Sequence, residues 1–342
     1  MNDKPFFFDL DKIQLGVFLR TIGLPEYRSR QLWQAFYVDL VENIDQVTTL
    51  SKELRNTLNE KMDFFHLTLA KRLVSSDKQT VKTLFSLPDG QAIEAVLMHY
   101  DERQTLCISS QAGCAMGCVF CATGQMGFKR NLSSGEIVEQ VVQFARELKT
   151  SDLQVTNIVI MGMGEPFQNY DAVMHAVNLL NDPQGFNLGA RRFTISTVGL
   201  VPMIERFAAE KNQVNLAVSL HAANDALRTS LLPIAKKYPL AELIKSCRNY
   251  VELTHRRITF EWALIQDVND REVDAHELSK LIKGMLCHVN IIALNPTDKY
   301  AGKSTSEIRA KAFQSILVKN GIPCTIRLRR GIDIHAGCGQ LA

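Results

Sequence analysis

The spacing of hydrophobic positions divides the chain into three regions, and the first of these is predicted to be helical. In residues 1–75, apolar side chains recur every three or four residues in LDKIQLGVFLRTIG, YRSRQLWQAFYVDL and SKELRNTLNEKM. This interval places them on one face of a helix. Residues 76–104 contain KTLFSLPDGQAIEAVLMHY, in which apolar and polar residues alternate around a Pro-Asp-Gly turn. That pattern predicts a β-hairpin.

Residues 105–342 alternate between two patterns, short β-rich runs and longer amphipathic stretches. The β-rich runs are TLCIS, NIVIM, FTIST, NLAVSL, ITFEWALI and VNIIAL. The helical stretches include SGEIVEQVVQFARELK, YDAVMHAVNLL, LAELIKSCRNYV, EVDAHELSKLIKG and TSEIRAKAFQSILVKNG. Six strand–helix units in succession predict an α/β core with a parallel sheet, arranged either as a partial barrel or as a doubly wound sheet.

Residues that could do chemistry follow the carboxyl ends of four of these strands. They are MGMGEP at 161–166, Ser196, Ser219, His221 and Asn295. In a parallel barrel all the carboxyl ends open on one face, and that face carries the active site. A doubly wound sheet concentrates its site at a single switch point instead. Site-like residues on four strand ends therefore favour a partial, TIM-like (β/α)6 barrel.

The composition is that of a globular chain, with 342 residues of which 46% are hydrophobic and 22% charged. No apolar run reaches the roughly 18 residues of a membrane span, and MNDKPFFFDLDK does not have the features of a signal peptide. We therefore expect a cytoplasmic protein with no membrane partner.

The net charge of +3 gives no argument for nucleic-acid binding, but the basic residues are clustered. The clusters are Lys129-Arg130, Arg191-Arg192, Lys236-Lys237, His255-Arg256-Arg257, and Arg327 with Arg329-Arg330. Five clusters are compatible with an anionic partner.

Three of the eight cysteines lie in GCAMGCVFC, directly after the first strand of the predicted barrel. Cys114, Cys118 and Cys121 have the spacing C-x3-C-x2-C, and closely spaced cysteines in a reducing compartment usually bind a metal or do chemistry. Three thiolates can hold three irons of a 4Fe–4S cluster and leave the fourth iron open for catalysis. The alternative is a zinc site with Cys107 or a histidine as its fourth ligand, although zinc loops usually have a second CxxC pair.

This cysteine spacing, after the first strand of a partial barrel, resembles the radical S-adenosylmethionine (SAM) superfamily. The resemblance implies that the three cysteines hold a 4Fe–4S cluster whose open iron binds SAM. MGMGEP is similar to the glycine-rich segment that contacts the methionine end of SAM. On this resemblance, SAM is held by residues at the strand ends: Gly164, Glu165, Ser196, Ser219, Leu220, His221 and Asn295. Taken singly, each has an ordinary structural explanation, such as a turn glycine or a helix cap.

A longer set of motifs resembles the bacterial RNA adenine-C2 methyltransferases nearly from end to end. The motifs are YRSRQLWQAFY, CISSQAGC, FCATGQMGFKRNL, MGMGEP, RRFTISTVGLVP, SLHAAND and GCGQL. The resemblance implies methylation of C2 in adenosine 2503 of 23S ribosomal RNA and in adenosine 37 of transfer RNA. It also implies that the helical domain, 1–75, binds RNA, that 76–104 is a linking hairpin, and that 105–342 is the radical SAM core.

The resemblance assigns roles to three further residues. Cys338 would take a methyl group from one SAM and become an S-methylcysteine. Cleavage of a second SAM would give a 5′-deoxyadenosyl radical that activates this methyl group for addition to C2. Glu94 would accept the C2 proton, and Cys107 would release the RNA by forming a transient disulfide with Cys338. Without the resemblance, Cys107 would be interpreted as a core cysteine and Glu94 as the solvent face of the hairpin.

Three other functions remain open at this stage. The first is methylation of C8 by the sister family that confers antibiotic resistance, although Pro166 in GEP and the N-terminal RQLWQAFY favour the C2 enzymes. The second is a radical SAM activase, which would need the cluster but neither Cys107 nor Cys338. The third is an RNA-binding protein with a structural metal. For the C2 enzyme we expect a flavodoxin-type or other low-potential reductant, and a monomer.

Overall fold

Ten strands form one continuous sheet, in which three antiparallel strands lead into seven parallel ones. The structure is a computed structural model, and it describes residues 4–342. The strands are β1 (Thr68–Val74), β2 (Thr80–Ser86), β3 (Ala92–Tyr100), β4 (Arg103–Cys107), β5 (Gln111–Gly113), β6 (Phe128–Asn131), β7 (Asn157–Ile160), β8 (Phe193–Thr197), β9 (Asn215–Ser219), β10 (Ile258–Leu264), β11 (Cys287–Ala293) and β12 (Cys324–Ile326). Strands β5 and β6 form a separate two-stranded sheet.

The helices fall into an N-terminal group and a group that connects the parallel strands. They are α1 (Lys12–Thr21), α2 (Arg28–Trp33), α3 (Lys52–Lys61), α4 (Ala122–Met126), α5 (Ser134–Lys149), α6 (Tyr170–Asn181), α7 (Val201–Ala209), α8 (Asp225–Leu231), α9 (Leu240–Thr254), α10 (Glu272–Leu281) and α11 (Glu307–Lys319). A π-helical turn, Gln34–Asp39, continues α2.

The parallel strands confirm the predicted partial barrel. Their order is β4, β7, β8, β9, β10, β11 and β12, and each crossover between neighbours contains one or two helices. Within the described residues β12 does not pair back onto β4, so the barrel is open along one side. The carboxyl ends of all seven strands lie at the same end of the barrel. This agrees with the prediction that the polar residues at the strand ends share one face.

The hairpin is confirmed, with Leu84 of β2 opposite Glu94 of β3. The segment before it differs from the expectation, because Thr68–Val74 is a strand within a region predicted to be helical. Most of its side chains are exposed, so the apolar residues of TLAKRLV do not form the buried face of a helix. Pairing with β2 at the edge of the sheet determines its conformation, and local sequence cannot reveal such a partner.

The N-terminal helices dock on the barrel through α5. Asp9 accepts hydrogen bonds from the Ser134 hydroxyl and from the Gly135 N–H, at 2.9 and 2.6 Å, at the first turn of this helix. One turn further on, the buried carboxylate of Glu139 accepts the N–H groups of His66 and Leu67. These bonds satisfy backbone N–H groups that have left the solvent, and they fix the helical region against α5.

Within residues 4–342, no helix combines the length and the apolar character that crossing a bilayer would require.

Candidate active site

The three clustered cysteines lie between β5 and α4, in the segment that follows β4. They line one cavity at the carboxyl end of the barrel, which we call the cofactor cavity. Backbone hydrogen bonds fix this loop: Cys114 N–H donates to the Gly127 carbonyl at 3.0 Å, and Cys121 N–H to the Cys118 carbonyl at 3.1 Å. Burial raises the pKa of Cys114 to about 12 and that of Cys118 well above its ordinary value. As free thiols they are therefore protonated, and metal binding would displace these protons.

The residues around this cavity fit a 4Fe–4S cluster with an organic ligand. Thiolates are the usual ligands of such clusters, and Asn295 adds a buried amide oxygen with no hydrogen-bond partner in the described structure. In residues 4–342 no three Cys, His, Asp or Glu side chains come close enough to hold a single metal ion. Cys107, which the zinc alternative offered as a fourth ligand, does not line the cavity that contains Cys114 and Cys118.

The segment after β7 places Gly164 and Glu165 in the wall of this cavity. Gly164 has a φ of 102°, and a Cβ atom there would lie 2.6 Å from the Gln111 side chain, so only glycine fits. The Glu165 carboxylate accepts the N–H groups of Phe167 and Val198 at 2.9 and 2.8 Å. Burial raises the pKa of Glu165 to about 7, although these hydrogen bonds act in the opposite direction.

Three further strand ends complete the wall. Ser196 is the last residue but one of β8 and Ser219 ends β9, with their hydroxyl oxygens 3.5 Å apart, and Asn295 follows β11. Leu220 does not line the cavity but lies in the hydrophobic core, because successive side chains of a strand point to opposite faces. Its backbone N–H donates to the Glu261 carbonyl.

His221 is a neutral side chain with a defined tautomer. Burial, and then the charge of Arg228, lowers its pKa to about 3. The Ala263 N–H donates to Nδ1 at 2.9 Å, so the ring proton lies on Nε2. The residue has a φ of 59°, and its ring meets Phe120 edge to face at 5.0 Å. His221 thus supplies a cavity wall with one N–H donor and no positive charge.

The C-terminal tail, residues 336–342, is tied to the cysteine loop and carries Cys338 into the same cavity. Ala122 N–H donates to the Gly339 carbonyl at 2.7 Å, and the Thr123 hydroxyl to the Leu341 carbonyl at 2.6 Å. The Asn295 amide donates to the Cys338 carbonyl at 3.1 Å. These bonds hold the chain end in place, where a free terminus would fray.

Cys338 and Cys107 line a second, smaller cavity that adjoins the first. Cys338 is solvent-exposed within these cavities, yet the surrounding protein desolvates the thiol and raises its pKa, against the opposing charge of Arg327. Burial, and then the proximity of Cys338, raises the pKa of Cys107 to about 12. All eight cysteines are free thiols, so the expected Cys107–Cys338 disulfide is not formed in this structure.

Comparison with known proteins identifies the family. The model of the radical SAM superfamily matches residues 108–278, and that of the N-terminal domain of the ribosomal RNA large subunit methyltransferases, RlmN, matches residues 7–63. The dual-specificity RNA methyltransferase RlmN 1 of Myxococcus xanthus is 48% identical over 98% of this chain and 93% of its own length. The chain belongs to the radical SAM RlmN family.

Two further relatives agree with this assignment. A "probable dual-specificity RNA methyltransferase RlmN" of Chloroflexus aurantiacus is 48% identical over 98% of this chain and 92% of its own length. The crystal structure of a radical SAM methyltransferase from Sphaerobacter thermophilus superposes with a TM-score of 0.97, at 50% identity and over 98% of this chain and 99% of that one.

Glu94 of this RlmN-family protein is buried, contrary to the solvent face that alternation alone suggested. The C-terminal tail covers this part of the hairpin, with the Lys82 ammonium donating to the His335 carbonyl at 3.1 Å, and residues 93–97 of β3 are all buried. The Lys82 ammonium lies 2.9 Å from one carboxylate oxygen of Glu94, and the Ala342 N–H donates to the other at 3.1 Å. Glu94 does not line either cavity that contains Cys338, because the tail lies over it.

Two buried side chains of the RlmN-family site, Glu261 and Arg228, were not predicted from the sequence. Glu261 is buried in β10 and lines the cofactor cavity, with the Arg327 guanidinium 4.0 Å away. A glutamate at an inward position of a strand whose other residues are apolar, apart from Thr259, was the available signal. Arg228 lies on α8 with no exposed surface, and nothing in DALRTSL distinguishes it from a surface arginine.

Arg228 holds the strand ends of the RlmN-family site together, so we expect Arg228→Met to destabilise the protein by about 2–4 kcal/mol. Its guanidinium donates to the carbonyls of Val198, Leu220 and Tyr238 at 2.7, 3.3 and 3.5 Å. The substitution removes the donor from the buried Val198 carbonyl and from the Tyr238 carbonyl, whereas the Leu220 carbonyl still accepts the Ala222 N–H. Urea denaturation measures the loss. Arg20→Met is the control, because Arg20 forms only an exposed ion pair with Glu26. Equal midpoints for both variants would contradict this role.

Proposed function

We propose that this RlmN-family protein is a dual-specificity radical SAM RNA methyltransferase that methylates C2 of adenosine in 23S ribosomal RNA and in transfer RNA. The observation that carries the proposal is the position of Cys338, which lines both the cavity of the three clustered cysteines and the cavity of Cys107. One thiol can thereby meet the cofactor on one side and a second thiol on the other. The relatives described above support RNA as the substrate.

The proposed cofactors are a 4Fe–4S cluster on Cys114, Cys118 and Cys121, and two molecules of SAM per turnover. When bound, they would supply a methyl cation equivalent from one SAM and, by reductive cleavage of the other, a radical that abstracts hydrogen. The chain supplies binding and orientation. Glu165 and Asn295 carry polar oxygens at the cavity wall, and the Nε2–H of His221 is an uncharged donor.

Cys338 is the proposed methyl carrier. An ordinary methyl transfer delivers an electrophile, whereas C2 of adenine is itself an electrophilic carbon, so a direct transfer is mismatched. If the methyl carbon is first linked to the Cys338 sulfur, the transfer from SAM and the formation of the carbon–carbon bond at C2 become two separate steps. The pocket of Cys338 is shared with Arg327, whose positive charge favours the thiolate that accepts the methyl group.

Release of the product is proposed to use Cys107. Its thiolate attacks the Cys338 sulfur, a disulfide forms, and the sulfur–carbon bond to the RNA breaks. The electron pair of that bond stays with the methyl carbon, which takes up a proton, so atoms and electrons balance. The common cavity of the two thiols supports this step, and a reductant would then restore both thiols.

Glu94 is the proposed acceptor of the C2 proton, and the oxidised 4Fe–4S cluster, when bound, would supply the one-electron acceptor for the electron that the C2 radical adduct must also lose. One of its carboxylate oxygens receives the Ala342 N–H, so displacement of the tail would free that oxygen at the moment when Cys338 engages the RNA. Lys82 remains bound to the other oxygen and keeps the carboxylate in place. We further propose a cytoplasmic monomer that takes electrons from a flavodoxin-type or other low-potential reductant, on the strength of the family resemblance.

The first test of this proposal is the methylation of Cys338 itself. The purified, cluster-containing protein is incubated with SAM that carries a deuterated methyl group, and its peptides are analysed by mass spectrometry. We expect the labelled methyl group on the peptide that contains Cys338, and none on Cys324, a half-buried cysteine of β12 that lines neither cavity. Absence of label on Cys338 from a protein that binds SAM would refute the methyl-carrier role.

A further inference from the structure

Glu261 carries a buried carboxylate oxygen that has no hydrogen-bond partner in residues 4–342. The side chain lies in the middle of β10 and is 6% exposed. Its oxygen Oε1 accepts a hydrogen bond from the Asn290 amide at 3.0 Å, whereas Oε2 is the oxygen without a donor. A buried acceptor without a donor is costly, and native proteins rarely contain one. A ligand that donates a hydrogen bond would satisfy this oxygen.

The nearest charged neighbour of this oxygen is the Arg327 guanidinium, which offers donors instead of an acceptor. Nη1 of Arg327 lies 4.0 Å from Oε2 of Glu261, too far for a hydrogen bond. Burial raises the pKa of Glu261, but the charge of Arg327 and the hydrogen bond from Asn290 both act to lower it, so these two neighbours favour the carboxylate. An acceptor and a group of donors therefore lie side by side.

This pair lies where cavities meet. Glu261 and Arg327 both line the cofactor cavity and a larger cavity of about 1000 Å³. Arg327 also lines the cavity of Cys107 and Cys338, and Glu261 does not. The charge of Arg327 has a larger effect on the pKa of Cys338 than the charge of Glu261 has. The arginine is therefore the member of the pair that is closer to the Cys338 thiol.

The Watson–Crick edge of adenine carries its groups in the matching order. The N6 amino group donates hydrogen bonds, the neighbouring N1 accepts one, and C2 follows N1 in the ring. An ionised glutamate can only accept hydrogen bonds and an arginine can only donate them. Guanine presents the reverse pattern, a carbonyl at C6 and an N–H at N1, so neither of its groups suits its neighbour. Enzymes that act on an unstacked base commonly read this edge.

We propose that Glu261 and Arg327 select adenine as the target base: the Glu261 carboxylate accepts a hydrogen bond from N6, the Arg327 guanidinium donates to N1, and C2 comes to lie at the Cys338 sulfur. This inference rests on the proposed function and adds the residues that choose the base. Asn290 is a positioning residue, because its amide fixes the carboxylate of Glu261. A base without the amino group leaves Oε2 without a donor, and this penalty is the source of the selectivity.

The test compares target bases within one protein. Synthetic RNA hairpins carry either adenosine or purine riboside, which lacks the N6 amino group, at the target position of the loop. The affinity of the cluster-containing protein for each hairpin is measured by fluorescence anisotropy. Glu261→Gln keeps the shape of the side chain and an oxygen for Asn290, but replaces the free acceptor by a donor. Glu272→Gln is the control, because it removes the same charge from an exposed position of α10 that lines none of these cavities.

We expect the wild-type protein and Glu272→Gln to bind the adenosine hairpin at least about tenfold more tightly than the purine hairpin, as for one hydrogen bond to a charged group. In Glu261→Gln this preference should fall to about twofold or less. The ratio is taken within each protein, so a general loss of RNA affinity or of folded protein does not change it. No preference in the wild type, or an unchanged preference in Glu261→Gln, would overturn the inference.

Two further hairpins identify the edge of the base that is read. 1-Deazaadenosine lacks N1, whereas 7-deazaadenosine lacks N7, which is next to C8. We expect the first to bind the wild-type protein at least about fivefold more weakly than adenosine, because the Arg327 hydrogen bond is lost. The second should bind as adenosine does. The reverse result would overturn the assignment, since it would place C8 at Cys338.

Label on Cys338 from deuterated SAM is measured in the same wild-type preparations, because that step needs no RNA. A labelled Cys338 together with equal affinities for the adenosine and purine hairpins would overturn the base selection and leave the proposed function intact. A wild-type protein without this label would refute the methyl carrier, whatever the hairpins show.

Discussion

Cys338→Ala is expected to abolish RNA methylation completely while leaving the reductive cleavage of SAM in place. The Cys338 thiol is the only proposed carrier of the methyl group. Among the cysteines of the described structure, Cys338 and Cys121 line both the cofactor cavity and the cavity of Cys107, and Cys121 is a proposed cluster ligand. The alanine side chain is smaller than cysteine, and residue 338 is exposed, so we expect little loss of stability. The measurement is methyl transfer from SAM to RNA in vitro, with 5′-deoxyadenosine quantified in the same reactions.

Cys324→Ala is the matched control for this experiment. Cys324 also lies in the last twenty residues, is partly buried, and lines neither of the two cavities that contain Cys338. It should retain RNA methylation. Iron and sulfide contents establish that both variants carry a full cluster. Substantial methylation by Cys338→Ala would show that the methyl group reaches RNA without this thiol. A radical SAM activase would likewise keep its activity in this variant, because its reaction does not need Cys338.

Cys107→Ala is expected to convert the enzyme into a covalent complex with its RNA. The substitution removes the thiol that would attack the Cys338 sulfur, so product formation stops after the RNA has been linked to the protein. We expect the complex to withstand denaturing electrophoresis and to disappear on treatment with ribonuclease. The pKa of Cys107, raised to about 12 by burial, adds a dependence on pH. Because only the thiolate attacks, wild-type release should accelerate as pH rises, and adduct should accumulate at low pH.

The double variant Cys107→Ala/Cys338→Ala provides the control for this trap. It lacks the carrier thiol as well, so no covalent complex should form. A complex of equal yield in the double variant would place the RNA linkage on another residue. Normal turnover by Cys107→Ala would remove Cys107 from the release step, although it would leave the carrier role of Cys338 untouched.

The sequence predicted the barrel well because its strands and helices have local signals. SGEIVEQVVQFARELK coincides with α5, whose N-terminal end is fixed by a capping box between Ser133 and Glu136. The strand ends that carry Ser196, Ser219 and Asn295 do converge on one cavity, since parallel strands present their carboxyl ends on one side. These are properties of short segments, so a single sequence suffices to see them.

The remaining features depend on contacts between distant segments. Glu94 is buried because the C-terminal tail, which ends at Ala342, covers it. The alternation of apolar and polar residues within β3 gives no information about this distant segment. Thr68–Val74 becomes a strand only because β2 offers an edge.

The measurement that tests the central claim most directly is mass spectrometry of nucleosides from a host that lacks its own C2 methyltransferase. Ribosomal and transfer RNA are isolated with and without expression of this protein, and the products are compared with authentic standards. We predict 2-methyladenosine in both RNA fractions, and none when the expressed protein is Cys338→Ala. The appearance of 8-methyladenosine, or of no methylated adenosine from soluble protein with a full cluster, would contradict the account.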